Sequence, residues 1–93
     1  CKECFIACTS LKTIPAALFD KALKASKFDY AFAGCTGLTG ESPYTMYNGN
    51  KIHLYERKKL YNLGGFNNRI TGTKCFYNCT GLSDYEDITT DWK

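Results

Sequence analysis

CFIACTSL (residues 4–11) returns as AFAGCTGL (31–38) and again as CFYNCTGL (75–82). One phrase, [Cys/Ala]-Phe-x-x-Cys-Thr-x-Leu, is thus written three times in a chain of 93 residues. The second copy follows the first by 27 residues and the third follows the second by 44, so the middle unit is 17 residues longer. Self-similarity at such a period marks a supersecondary unit that buries its apolar face by stacking on its neighbours. We therefore expect three ladders through the core: Phe5, Phe32 and Phe76; Cys8, Cys35 and Cys79; Leu11, Leu38 and Leu82. Cys4, Phe5 and Cys8 stand at helical spacing, which predicts a short helical turn facing inward. Leu11 and Ile14 continue the apolar set into a short extended segment.

Outward from the phrases, Pro15 can open a helix over PAALFDKALKA (15–25), with Leu18, Phe19 and Ala22 inward and Lys21, Lys24 and Lys27 solvated. The extra length of the middle unit falls in an insertion at about 40–62. Within it, GESP (40–43) is a loop. Asn48-Gly49 lies between two apolar runs, 44–47 and 51–55, and predicts a β-hairpin that sets Thr45, Met46 and Tyr47 against Asn50, Lys51 and Ile52. ERKKLYN (56–62) reads as a helical turn or two, and LGGFNNRITGTK (63–74) as a mobile loop. In the tail, 83–93, Trp92 is expected to cover the last core layer.

A chain of this length makes one domain, 1–93, with a thin core. Its 44% hydrophobic and 15% aromatic content argues against disorder. A net charge of +3 does not call for a nucleic-acid partner. No apolar run is long enough to span a membrane. No signal peptide is visible, and the opening at Cys1 suits a mature form or an excised fragment. Six cysteines allow a disulfide framework with fifteen connectivities. They equally allow buried thiols, since free Cys behaves as a small hydrophobe. Two stacking steps of about 5 Å each put Cys4 and Cys75 beyond disulfide reach. The spacing of Cys4 to Cys8 and of Cys75 to Cys79 is a weak zinc pattern.

LKTIPAALFD (11–20), FAGCTGLTGESPYT (32–45), NGNKIHLYERK (48–58), CFYNCTGLSDY (75–85) and the closing DWK (91–93) together resemble the BspA-like leucine-rich-repeat surface proteins of anaerobic gut bacteria. Residues 62–73 are the main gap in the likeness, and Thr89-Thr90 departs from the Ile-Pro expected before DWK. The resemblance implies an exported protein, extracellular or displayed on the outer cell surface, with a lipid anchor in some members. It implies a non-enzymatic role in adhesion and protein binding, toward a host or bacterial surface protein or glycan, and no cofactor. The expected fold class is α/β: a short leucine-rich-repeat-like solenoid with an inserted β-hairpin. Two alternatives stand beside this function: a structural spacer or C-terminal cap of a larger surface protein, and a small secreted disulfide-rich effector.

Tyr44, Tyr47, His53, Tyr55 and Arg57 are the candidate contact surface, because insertions in repeat proteins map to one face and Tyr offers large contact area at low entropic cost. His53, the only histidine, reads first as a half-exposed strand residue. No catalytic motif accompanies it. Asp84, Glu86, Asp87 and Asp91 crowd the tail without the spacing of a calcium loop, so a solvated acidic face is expected. Arg57, Lys58 and Lys59 read likewise as a solvated basic face. Glu41 is not placed near the tail carboxylates by anything in the sequence.

Overall fold

The computed structural model describes residues 2–19, 26–47, 49–57 and 70–93. Each phrase folds as the same run of tight turns. Backbone N–H groups of Cys8, Cys35 and Cys79 donate to the carbonyls of Phe5, Phe32 and Phe76, and those of Leu11, Leu38 and Leu82 donate to Cys8, Cys35 and Cys79. Two left-handed residues recur in register. Glu3, Tyr30 and Lys74 have φ of 59°, 57° and 51°, and Ala7, Gly34 and Asn78 have φ of 58°, 78° and 65°. A left-handed residue ends a helical turn as soon as it begins. This is why the helical spacing of Cys4, Phe5 and Cys8 does not propagate. Gly and Asn suit such a site, whereas Ala7 is strained there by about 1–2 kcal/mol.

The phrases lie on one another through their backbones. Glu3, Phe5 and Ala7 donate to the carbonyls of Asp29, Ala31 and Ala33. Tyr30, Phe32 and Gly34 donate in the same way to Thr73, Cys75 and Tyr77. Lys74 and Phe76 then donate to Asp91 and Trp92 in the tail. The rings follow this register: Phe5 stacks on Phe32 at 5.2 Å and Phe32 on Phe76 at 5.6 Å, with planes 7° and 1° apart. Trp92 closes the column against Phe76 and Phe28 and is buried. Gly72 lies under the indole, where a Cβ would come within 2.4 Å of it. Gly81 is equally confined, its would-be Cβ lying 2.3 Å from the Leu38 carbonyl oxygen.

The expected fold class is corrected by these elements. The described residues contain no α-helix, only a two-stranded antiparallel sheet, β1 (Tyr44–Tyr47) and β2 (Asn50–His53), with short 3-10 turns at 54–57, Tyr85–Asp87 and Thr90–Trp92. The protein is a small compact body with a radius of gyration of 12.2 Å, and not an α/β repeat solenoid. The recurring left-handed residues keep each phrase as turns, so neither a strand nor a helix develops within it. The proposed helix over 15–25 begins as turns at 16–19, and residues 20–25 lie outside the described residues, Ala22, Lys21 and Lys24 among them. The proposed turn at 56–62 and the loop at 63–74 are described only at 56–57 and 70–74. Residues 70–74 belong to the backbone network, with Thr71 bridged to Lys27 and Ile70 buried.

The hairpin takes the expected register: Thr45 faces Ile52, Met46 faces Lys51, and Tyr47 faces Asn50. Gly49 has φ of 82°, as a tight hairpin turn requires. The strands are anchored at their base, where Tyr44 N–H donates to Ala16 and Leu54 N–H to Pro43. A deeper anchor is Arg57, 2% exposed, whose Nη2 donates to the Phe19 carbonyl at 2.9 Å and to Thr45 Oγ1 at 3.0 Å.

Candidate functional site

Two features of the insertion carry chemistry: an outward apolar surface on the hairpin and a polar cluster at its base. Strand alternation turns Thr45 inward and Met46 outward. Met46 is 60% exposed, and Tyr44 and Tyr47 are half-buried beside it. Lys51, opposite Met46, lies over the Tyr44 ring at 4.4 Å and pairs with Glu41 at 3.2 Å. Tyr55 and Arg57, expected in the same surface, are both buried. This corrects the contact assignment: β2 ends at His53, the following 3-10 turn breaks the strand alternation, and both side chains rotate into the core. For Arg57 it also overturns the solvated basic face, while Lys58, Lys59 and Tyr61 lie outside the described residues.

His53 sits at the base of the hairpin with its ring half-buried between aromatic neighbours. Tyr55 stacks on it at 5.3 Å and Tyr44 meets it edge-on at 5.8 Å. Both ring nitrogens face carboxylates: Nε2 is 2.6 Å from Glu41 Oε2 and Nδ1 is 2.8 Å from Glu56 Oε1. Asp84 Oδ2 lies 3.6 Å from Nε2. Burial disfavours the charged ring, but the Glu41 and Glu56 hydrogen bonds and the Asp84 charge together hold the His53 pKa above its ordinary value. The bond from His53 holds the Glu41 carboxyl below its usual range. Burial, with Asp84, Glu56, Asp87 and Glu41 nearby, pushes the Tyr55 phenol well up.

Asp84 is buried, not part of a solvated acidic face. It accepts the backbone N–H of Ser42 at 3.0 Å and the Ser42 hydroxyl at 2.5 Å. Ser, Asp and His meet here, but in an order that activates no nucleophile. The Ser42 hydroxyl donates to the carboxylate rather than to the imidazole, and it is fully buried. Among the described residues no group of three or more His, Cys, Asp or Glu side chains is arranged to hold a metal ion. Sequence reasoning missed Glu41, Glu56 and Asp84 as partners of His53, and Ser42 as the partner of Asp84. Only Glu56, three residues from His53, was within local reach; it also accepts the His53 backbone N–H.

The ladder residues divide by layer. Phe32, Cys35, Leu38, Phe76, Cys79 and Leu82 are buried, whereas Phe5 and Leu11 are only partly so and Cys8 is exposed. The burial expected of Cys8 is corrected, because the first phrase is covered on one side only by described residues. Cys35 Sγ donates to the Phe5 carbonyl at 2.9 Å and Cys79 Sγ to the Phe32 carbonyl at 3.1 Å. Burial raises the pKa of all three inner thiols, Cys79 to about 12. Cys8, Cys35, Cys75 and Cys79 are free, and Cys4 is disulfide-bonded. Beside the first phrase, Phe5, Leu11, Ile14 and Leu18 border an apolar cleft of about 250 Å³, with Ile6 and Leu18 more than two-fifths exposed nearby. No helix of the described residues is long and apolar enough to cross a membrane. Comparison of the chain with protein-family models, with curated proteins and with solved structures finds no match.

Proposed function

We propose that the protein is a non-enzymatic binding module that acts outside the cell and makes contact through the outer face of its β-hairpin. The observation that carries this reading is the exposure of Met46 beside the half-buried Tyr44, which shares its face of a short, well-anchored strand pair. An adaptable thioether beside a tyrosine suits a contact surface. Lys51, opposite Met46 and over the Tyr44 ring, adds a positive charge to this face. A protein or glycan displayed on a host or bacterial surface is the proposed partner. The sequence likeness to BspA-like surface proteins supports that choice and the exported location.

A screen of the folded chain against extracellular-matrix proteins and surface glycans tests the reading. Met46→Ser and Tyr44→Ala are each expected to weaken a captured ligand by about tenfold or more, the size of a contact hot spot. Tyr77→Ala, an exposed residue away from the hairpin, serves as control. A ligand bound equally well by folded Met46→Ser and Tyr44→Ala refutes the hairpin surface.

One observation favours a second reading, a spacer or cap within a larger surface protein. Leu18 and the cleft it lines with Phe5, Leu11 and Ile14 form an apolar surface beside the first phrase, as a face meant for another protein segment would. Four free cysteines weigh against the third reading, a disulfide-rich effector.

A further inference from the structure

We propose that His53 is a charged clamp, an imidazolium shared by carboxylates from three separate segments, which fastens the hairpin to the third phrase in mild acid and releases it as the pH rises.

The argument begins with donors. A neutral imidazole has one N–H and one lone pair, so it donates to only one carboxylate. Here both ring nitrogens lie within 2.8 Å of carboxylate oxygens. A neutral ring would leave a lone pair facing Glu41 or Glu56. The geometry is satisfied only when both nitrogens carry protons.

The segments joined are far apart in the chain. Glu41 lies in the loop before β1, His53 ends β2, Glu56 belongs to the following 3-10 turn, and Asp84 follows the third phrase. Asp84 also holds Ser42, so the loop before β1 is tied to the third phrase twice, through Ser42 and through the ring. The other groups facing the ring are Lys51, which engages Glu41 from β2, Tyr44 from β1, and Tyr55 from the turn. Asp87 adds negative charge from the tail, felt at Tyr55. Three carboxylates against one lysine leave the pocket negative without the imidazolium charge, so deprotonation makes Glu41, Glu56 and Asp84 repel one another.

The sign follows from linkage. His53 has a folded pKa above its ordinary value of about 6.5, so its contribution is complete below that pH and fades as the pH passes the folded pKa. Glu41 is displaced downward, so its contribution holds above the ordinary carboxylate range and fails only in stronger acid. The clamp is therefore tightest between the carboxylate range and about pH 6.5. Each unit by which the folded His53 pKa exceeds that of the released ring is about tenfold in the ratio of clamped to released hairpin. The clamp requires no ligand and stands independently of the binding role.

His53 is the only histidine, so its ring resonances identify themselves in an NMR titration. Both ring nitrogens are expected to stay protonated beyond pH 6.5. Amide exchange in β1 and β2, corrected for intrinsic rate, is expected to quicken through the same midpoint while Phe32 and Cys79 amides do not follow it. Glu41→Gln and Glu56→Gln are isosteric changes at partly exposed side chains, and each is expected to leave the fold intact, lower the midpoint and flatten the response of the hairpin. A His53 midpoint at or below 6.5 overturns the clamp. So does a pH response of the hairpin that both glutamine variants leave unchanged.

Discussion

Between Phe32 and Phe76 the chain meets itself through parallel rings and a repeated set of backbone bonds. Around His53 it meets itself through an imidazole, three carboxylates and a buried serine hydroxyl, none of which recurs in another phrase at the same register. The stack is held by apolar burial, which also raises the pKa of its inner thiols Cys35, Cys75 and Cys79. The hairpin corner depends on charge. One protein thus joins an apolar stack to a pH-sensitive attachment, and the attachment carries Met46, the most exposed large apolar side chain among the described residues.

The largest effect that separates the two regions is Phe32→Ala. It removes the middle ring of the column and should cost about 3–5 kcal/mol in denaturant unfolding, with the same loss at pH 5.5 and pH 8.5. A loss that varies strongly with pH would mean that stack and clamp are not separate.

Asp84→Ala comes next. It strips the Ser42 N–H and hydroxyl of their acceptor, at about 1–3 kcal/mol, and it removes one of the charges facing His53. Its cost should be greater at pH 5.5, where the ring is charged, than at pH 8.5. Equal cost at both would assign Asp84 to Ser42 alone.

Gly81→Ala costs less than Phe32→Ala, about 1–3 kcal/mol, by forcing a Cβ against the Leu38 carbonyl. Ser10 occupies the same phrase position in the first, exposed layer, and Ser10→Ala should stay within about 0.5 kcal/mol. Similar melting shifts for the two variants would show that the layers are not closely stacked at Gly81.

The hairpin was legible because Asn48-Gly49 and the flanking alternation are local signals, and its register follows from them. The ring column was equally legible, because a repeated phrase brings like residues to like places. The solenoid was not a sound conclusion: helical spacing over five residues says nothing about the next φ angle, and Ala7 and Asn78 take the left-handed region instead. The inward turn of Tyr55 and Arg57 was hidden because β2 ends two residues before Tyr55. Glu41 and Asp84 were read as unrelated acids because 43 residues separate them, and no periodicity links a loop to a tail.

By itself the sequence determined that three phrases exist, that their Phe residues recur in register, and that a hairpin interrupts the second unit. These are consequences of short-range spacing, in which each residue's neighbours are known. Only the tertiary structure decided that the phrases are turns, that Arg57 is an internal anchor, and that His53 stands between Glu41, Glu56 and Asp84. Those outcomes depend on where separate segments come to rest, and a carboxylate matters to an imidazole only once folding has brought the two within a few ångströms and excluded the water between them.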